Sequence, residues 1–443
     1  MLPPLPLASP PKKKGGRQDA IASYRPSILA ALYELCAAPS LRATHYSLRT
    51  AFSTFSEPEN PEHPENLVEP VSRTPSILSF LEVLWYNHKG LLTLYPIVII
   101  RGGNQMATNV TMEFVQGMPK AELHLHIEGT LEPELKLKLA QKNHVDIGQT
   151  TIEEVKKSYQ YDDLASFLAV YYPAMNVLQT EEDFYDLAMA YLKKAKENNV
   201  RHVEIFFDPQ AHTSRGIAFE TFINGLYRAT VDARAMNIDA RLIMCFLRDL
   251  SRESARKTFE ESLPYRDKFI GVGLDSDEHN NPPMKFFYQF AEATKYGLLT
   301  TAHADIDQKD SIEHIRELLE VIGVDRLDHG TNIVEDPDLV EYAAKHKIGL
   351  TSCPLSNSFV RPEMKGHEIK ELLSKGVKIS IHSDDPAYFG GYISKNYYEL
   401  ARQFDLTKEQ VVQLARNSFE TSWISEEQKA IYIAELEEYA KTH

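Results

Sequence analysis

The sequence predicts a (β/α)₈ barrel of the metal-dependent hydrolase type over residues 112–443, and three features predict it. Eight short apolar segments alternate with helical patterns, the order expected of a parallel sheet wrapped in helices. Histidines and acids gather at the C-terminal ends of those segments, where this fold carries its chemistry. The longest interruption, 131–199, lies between the first and second segments. It reads as several helices, placed where they can cover a barrel mouth and exclude water.

In chain order, residues 1–111 stand apart from the rest. They hold 13 of the 24 prolines and ten Lys/Arg against eight Asp/Glu, a net charge of +2 that leaves −17 for residues 112–443. Leu2-Pro3-Pro4-Leu5-Pro6, Pro10-Pro11-Lys12-Lys13-Lys14 and the run from Glu57 to Glu65 favour extended chain. The segment is read as a low-complexity, poorly ordered extension and is assigned no domain. Stretches 76–85 and 91–100 are apolar enough for order, yet both fall short of the roughly 20 residues of a membrane span. A nuclear signal at Lys12 to Lys14 or an organelle transit peptide would suit the acid-poor start. A solvated tail, with a compact fold starting at Met106 or Met112, is the simpler expectation.

The expected strands are 121–127, 202–208, 241–247, 270–275, 298–304, 326–330, 348–354 and 378–385. Helical periodicity falls at 184–197, 219–235, 286–295, 311–321, 339–345 and 368–374, several of these entered from Asp or Ser caps. After the last strand, 395–403, 407–416 and 425–439 read as a helical tail.

Composition restricts the partners. A net charge of −15 argues against a nucleic-acid backbone, which needs a basic stripe, and points to a small-molecule substrate. No membrane partner is implied. Cys36, Cys245 and Cys353 are too few and too scattered for a disulfide framework or a thiolate zinc cluster. A reducing compartment, by default the cytosol, is expected.

The first strand carries Leu123-His124-Leu125-His126-Ile127, in which imidazoles and apolar residues alternate with period two. Both rings therefore share one face and can hold half of a metal site. The remaining strand ends bring Asp275, His303, His329, Asp384 and Asp385. Three imidazoles and a carboxylate suit zinc and leave room for a water whose pKa the ion lowers toward about 7.

These residues resemble a known family. The run from Met118 to Pro133, Thr301-Ala302-His303-Ala304, Leu327-Asp328-His329-Gly330, Ser352-Cys353-Pro354-Leu355-Ser356-Asn357 and Ser383-Asp384-Asp385-Pro386-Ala387-Tyr388 look like the adenosine and adenine deaminases of the amidohydrolase superfamily. The resemblance implies one Zn²⁺ held by His124, His126, His303 and Asp384. It also implies that His329 orients or deprotonates the water and that Asp385 hydrogen-bonds a purine ring nitrogen. Glu128, where nucleoside-acting members carry Asp, would shrink the sugar space. With Asp275 and Glu278 in Leu274-Asp275-Ser276-Asp277-Glu278, it points to the free-base branch. All three are expected to bind substrate.

One departure stands against this pattern. The family follows its third metal histidine with Ala-Gly-Glu, whose Glu protonates the ring; here His303-Ala304-Asp305-Ile306-Asp307 puts Ile306 at the acid's position. Asp305 or Asp307 then takes over through a shifted backbone, or Glu278 does, or the reaction does not need the proton. The expected activity is hydrolysis of adenine to hypoxanthine and ammonia. Deamination of adenosine or another amino-heterocycle is the alternative within the class, and a non-catalytic purine-binding barrel the alternative outside it.

Overall fold

The computed structural model describes residues 110–304, 309–360 and 364–443, together with two strands nearer the N-terminus. Those strands, β1 (Phe80–Tyr86) and β2 (Leu92–Val98), pair antiparallel with Leu84 opposite Leu94. They overlap the two apolar stretches of the extension and belong to a unit of their own, residues 1–104. The rest of that expectation lies outside the described residues.

The second unit, residues 105–443, is a barrel of eight parallel strands. These are β3 (Lys120–Glu122), β4 (Val200–Phe207), β5 (Asp239–Leu247), β6 (Gly271–Asp275), β7 (Leu299–Ala304), β8 (Arg326–His329), β9 (Gly349–Ser352) and β10 (Lys378–Ile381). Each pairs with its successor, so every connection is a crossover that lays helix against the outside of the sheet. The ring closes beyond β3 and β10. There His126 N–H donates to the Asp384 carbonyl at 3.1 Å, and Asp384 N–H donates to the His124 carbonyl at 3.1 Å.

The first strand is shorter than the expected 121–127. Its register against β4 shifts at Lys120/Ala121 and regular pairing ends at Glu122; Leu125 and His126 pair only as single bridges, with Asp384 and Phe206. The reason is closure, since this chain must reach the strand on each side at once. A second difference falls at 311–321, read as one helix. The structure has an α-helix over Ser311–Arg316 that widens into a π-helix over Glu317–Ile322, keeping Leu318, Leu319 and Ile322 buried before Gly323 ends it at φ 73°.

Near the N-terminal ends of β4, β5 and β8 the interior is charged. Arg326 is fully buried, contacts the Glu204 carboxylate, lies 4.2 Å over the Trp423 ring and donates to the Leu123 carbonyl at 3.2 Å. His202 sits between Glu204 at 3.0 Å and Asp239 at 2.9 Å. Burial opposes charge on His202, but the two carboxylates outweigh it and lift its pKa to about 9. Burial likewise opposes ionisation of Glu204, yet Arg326 and His202 hold it down at about 2.

At the opposite mouth the long insertion folds as helices Pro133–Lys142, Ile152–Ser158 and Leu164–Ala174, and its last helix, Glu181–Glu197, packs outside the barrel against the helix Phe219–Asp232. Asp163 caps the third through a capping box, which aims Phe167 and Tyr171 at Tyr388 and Phe389 beyond β10. This aromatic cluster is separate from the main core. Among the described residues no helix is long and apolar enough to cross a membrane.

Candidate metal centre and active site

The ligand atoms of His124, His126, His303 and Asp384 all lie within 4.8 Å of one another. Each histidine is turned by what its other ring nitrogen meets. His124 Nδ1 lies 3.1 Å from the Thr351 carbonyl and His303 Nδ1 lies 3.1 Å from the Leu274 carbonyl. A carbonyl only accepts, so Nδ1 carries the proton and Nε2 presents a lone pair to the cluster. His126 Nδ1 faces Asp275 Oδ2 at 3.4 Å, with the same result.

Two ligands about 2.0–2.1 Å from a tetrahedral ion lie about 3.3–3.4 Å apart. The observed separations match: His126 Nε2 to His303 Nε2 is 3.2 Å, and Asp384 Oδ1 is 3.5 Å from both His124 Nε2 and His126 Nε2. His124 Nε2 is buried and has no hydrogen-bond partner. Burial pushes the His303 pKa well below its ordinary value, and the neighbouring imidazoles add to this, leaving the neutral ring a metal needs. Burial would lower His126 too, but Asp275, Asp385 and Asp384 outweigh it and lift its pKa to about 10. A divalent ion at Nε2 answers the same negative field.

His329 stands beside this cluster, its Nε2 3.7 Å from Asp384 Oδ2 and its Nδ1 buried without a partner. Burial, then His124, lower its pKa to about 4, so its ring is neutral. His329 and Asp384 both adopt left-handed backbone, φ 56° and 64°. Such strain in non-glycine residues collects at sites that hold a fixed geometry.

Asp385 points into the cavity with Oδ1 unpartnered, and burial, reinforced by Asp384, raises its carboxyl well above the ordinary range. Its position depends on Gly129, because a Cβ there would lie 1.9 Å from Asp385 Oδ1. Asp275 lines the cavity, its Oδ2 facing His126 Nδ1 and its buried Oδ1 without a hydrogen-bond partner. Glu278 also lines it, with Arg248 Nη1 3.1 Å away. Asp305 and Asp307 lie outside the described residues.

Glu128 is placed differently from the expectation. It opens a 3₁₀ turn, Glu128–Thr130, which swings it off the face that carries the histidines. Its Oε1 accepts from His212 Nε2 at 2.8 Å and from the Asp208 N–H at 3.1 Å, and it does not line the cavity.

The cavity holds about 690 Å³ of empty space, solvent at its mouth included. Several lining residues have no role in the sequence reading: Asp208, Ser276, Ser356, Asn357 and the aromatic face of Phe167, Tyr171 and Tyr172. Asp208 had a usable signal as an acid at the end of a predicted strand. Ser356 and Asn357 sit inside a recognised motif that did not show which of its side chains face inward.

A family model described as adenosine deaminase matches residues 119–439. The adenine deaminase of Acinetobacter baylyi is 49% identical over 327 residues, 73% of this chain and 98% of that one. Among solved structures, an adenine deaminase from Arthrobacter aurescens is 42% identical over 73% of this chain and 99% of its own, with a TM-score of 0.71. An amidohydrolase from Burkholderia ambifaria, crystallised with bound Zn, is 26% identical over 76% and 96%, with a TM-score of 0.68. The likeness runs the length of the barrel, and on that ground the chain belongs to the adenosine and adenine deaminase family.

Proposed function

We propose that this protein is a hydrolytic adenine deaminase: water adds at the amino-bearing carbon of adenine, ammonia leaves, and hypoxanthine is the product. The observation that carries the reading is the cluster of three inward-facing Nε2 lone pairs and one carboxylate, opening on a small cavity in a chain 49% identical to an adenine deaminase. We assign His124, His126, His303 and Asp384 as ligands of one zinc ion. When bound, zinc supplies Lewis acidity that brings the pKa of water toward about 7.

The remaining steps belong to side chains. His329, neutral and beside the ligands, accepts the proton of the attacking water and passes it toward the departing amine. Asp385, whose carboxyl burial pushes above the ordinary range, hydrogen-bonds a ring nitrogen and fixes the plane of the base. Phe167 and Tyr171 cover the mouth and keep bulk water from the reacting carbon. The ring proton falls to a carboxyl of the segment after His303, Asp305 first and Asp307 second, in place of the family's Glu. Glu278 is held by Arg248 and is the third choice.

Reaction in ¹⁸O-labelled water tests the chemistry. One labelled oxygen in hypoxanthine and one ammonia per turnover is the expected result; unlabelled product or unchanged adenine contradicts it.

A further inference from the structure

We infer that Asp208 is the residue that selects the free base, by accepting the ring N–H that a purine base carries and a nucleoside has lost to its sugar. The inference rests on the purine reading of the site and deepens it.

Asp208 directly follows β4, at the mouth of the barrel, and its side chain lines the cavity while being only 2% exposed. Its Oδ1 has no hydrogen-bond partner. Beside it stands Asp275, equally buried, with Oδ1 unpartnered; one carboxylate oxygen of each and a His126 ring nitrogen lie within 4.8 Å of one another. Unsatisfied buried acceptors cost about 1–3 kcal/mol each. Facing a cavity, that deficit is removed by a ligand that donates. A carboxyl group accepts an N–H whether it is neutral or ionised, so the role does not depend on its protonation state.

Asp208 is also held in place. Its backbone N–H donates to Glu128 at 3.1 Å, Glu128 accepts from His212 at 2.8 Å, and Arg215 donates to His212 Nδ1 at 3.0 Å. Glu128 is thus a positioning residue, tied to base selection through Asp208 and not by touching a sugar.

The matching ligand feature is specific. Adenine has an N–H in its five-membered ring, and adenosine has a glycosidic bond at that nitrogen. A pocket built around a donor rejects the analogue that lacks it far more strongly than shape alone does.

The test compares adenine with 9-methyladenine, which caps that nitrogen at little cost in size, on the wild type, Asp208→Ala and Asp208→Asn. The wild type is expected to favour adenine in kcat/KM by about 10²-fold. Asp208→Ala should cut that preference to under about 10-fold by losing adenine alone, and Asp208→Asn, which keeps a carbonyl acceptor, should fall between. An unchanged preference in Asp208→Ala would mean exclusion by shape and overturns the inference. Equal losses on both bases overturn it as well, since Asp208 would then serve the fold or the chemistry. Calorimetric titration with the same ligands separates this from the deaminase reading. Wild type that binds adenine with the preference but releases no ammonia keeps the selector and removes the reaction. Wild type that deaminates both bases alike, or binds neither, removes the selector.

Discussion

His126 Nε2 and His303 Nε2 lie 3.2 Å apart, the separation of two nitrogens that share one tetrahedral ion. The carboxylates around His126 favour a cation there. His126→Ala is expected to lower zinc content and turnover together, and chelation of the wild type to abolish activity that added zinc restores. Elemental analysis finding full metal occupancy in His126→Ala would remove it from the ligand set.

The missing glutamate gives the second prediction. If Asp305 donates the ring proton, Asp305→Asn should cost at least about 10²-fold in kcat with zinc retained. Ile306→Glu restores the family's donor at its usual place and should recover the activity of Asp305→Asn. Near-normal rates in both Asp305→Asn and Asp307→Asn would move the donor to Glu278.

Much of this site is legible in the chain, and what is not has a physical cause. Strand ends are legible because apolar runs stop at polar residues, and His124 and His126 share a face because a strand alternates. The turn at Glu128 is not legible. Adjacency to His126 does not tell which way the backbone leaves a strand, and one 3₁₀ turn moved this carboxylate from the cavity to His212. Asp208 is marked in the chain only as an acid at a strand end with no motif around it; its meaning comes from Asp275, which is 67 residues away in the chain and adjacent only in space. The π-helix over Glu317–Ile322 follows the same periodic pattern as an α-helix until its end.

Glu128 offers a third prediction. Glu128→Asp shortens the side chain that accepts the Asp208 N–H, so Asp208 loses its support. The ratio of adenine to adenosine turnover should fall several-fold, through KM for adenine more than kcat. A ratio equal to wild type, measured by ammonia release from each substrate, contradicts this role.

The charged interior predicts a pH dependence of stability. His202 titrates at about 9 in the fold against an ordinary 6.5, so its favourable proton is fully bound below 6.5 and lost as pH rises through about 9. Asp239 and Glu204 are the groups that hold it. Urea midpoints of wild type and His202→Gln should differ most at about pH 6 and converge by about pH 10. Glu204 has the opposite sign, losing its contribution only as pH falls through about 2, and does not enter that window. A gap independent of pH would show that His202 contributes packing alone.

Ammonia release by the purified, zinc-loaded protein from adenine and adenosine side by side decides whether this barrel deaminates a free purine base. Adenine should be turned over with the higher kcat/KM, by about 10²-fold or more. Faster release from adenosine, or none from adenine, would contradict it.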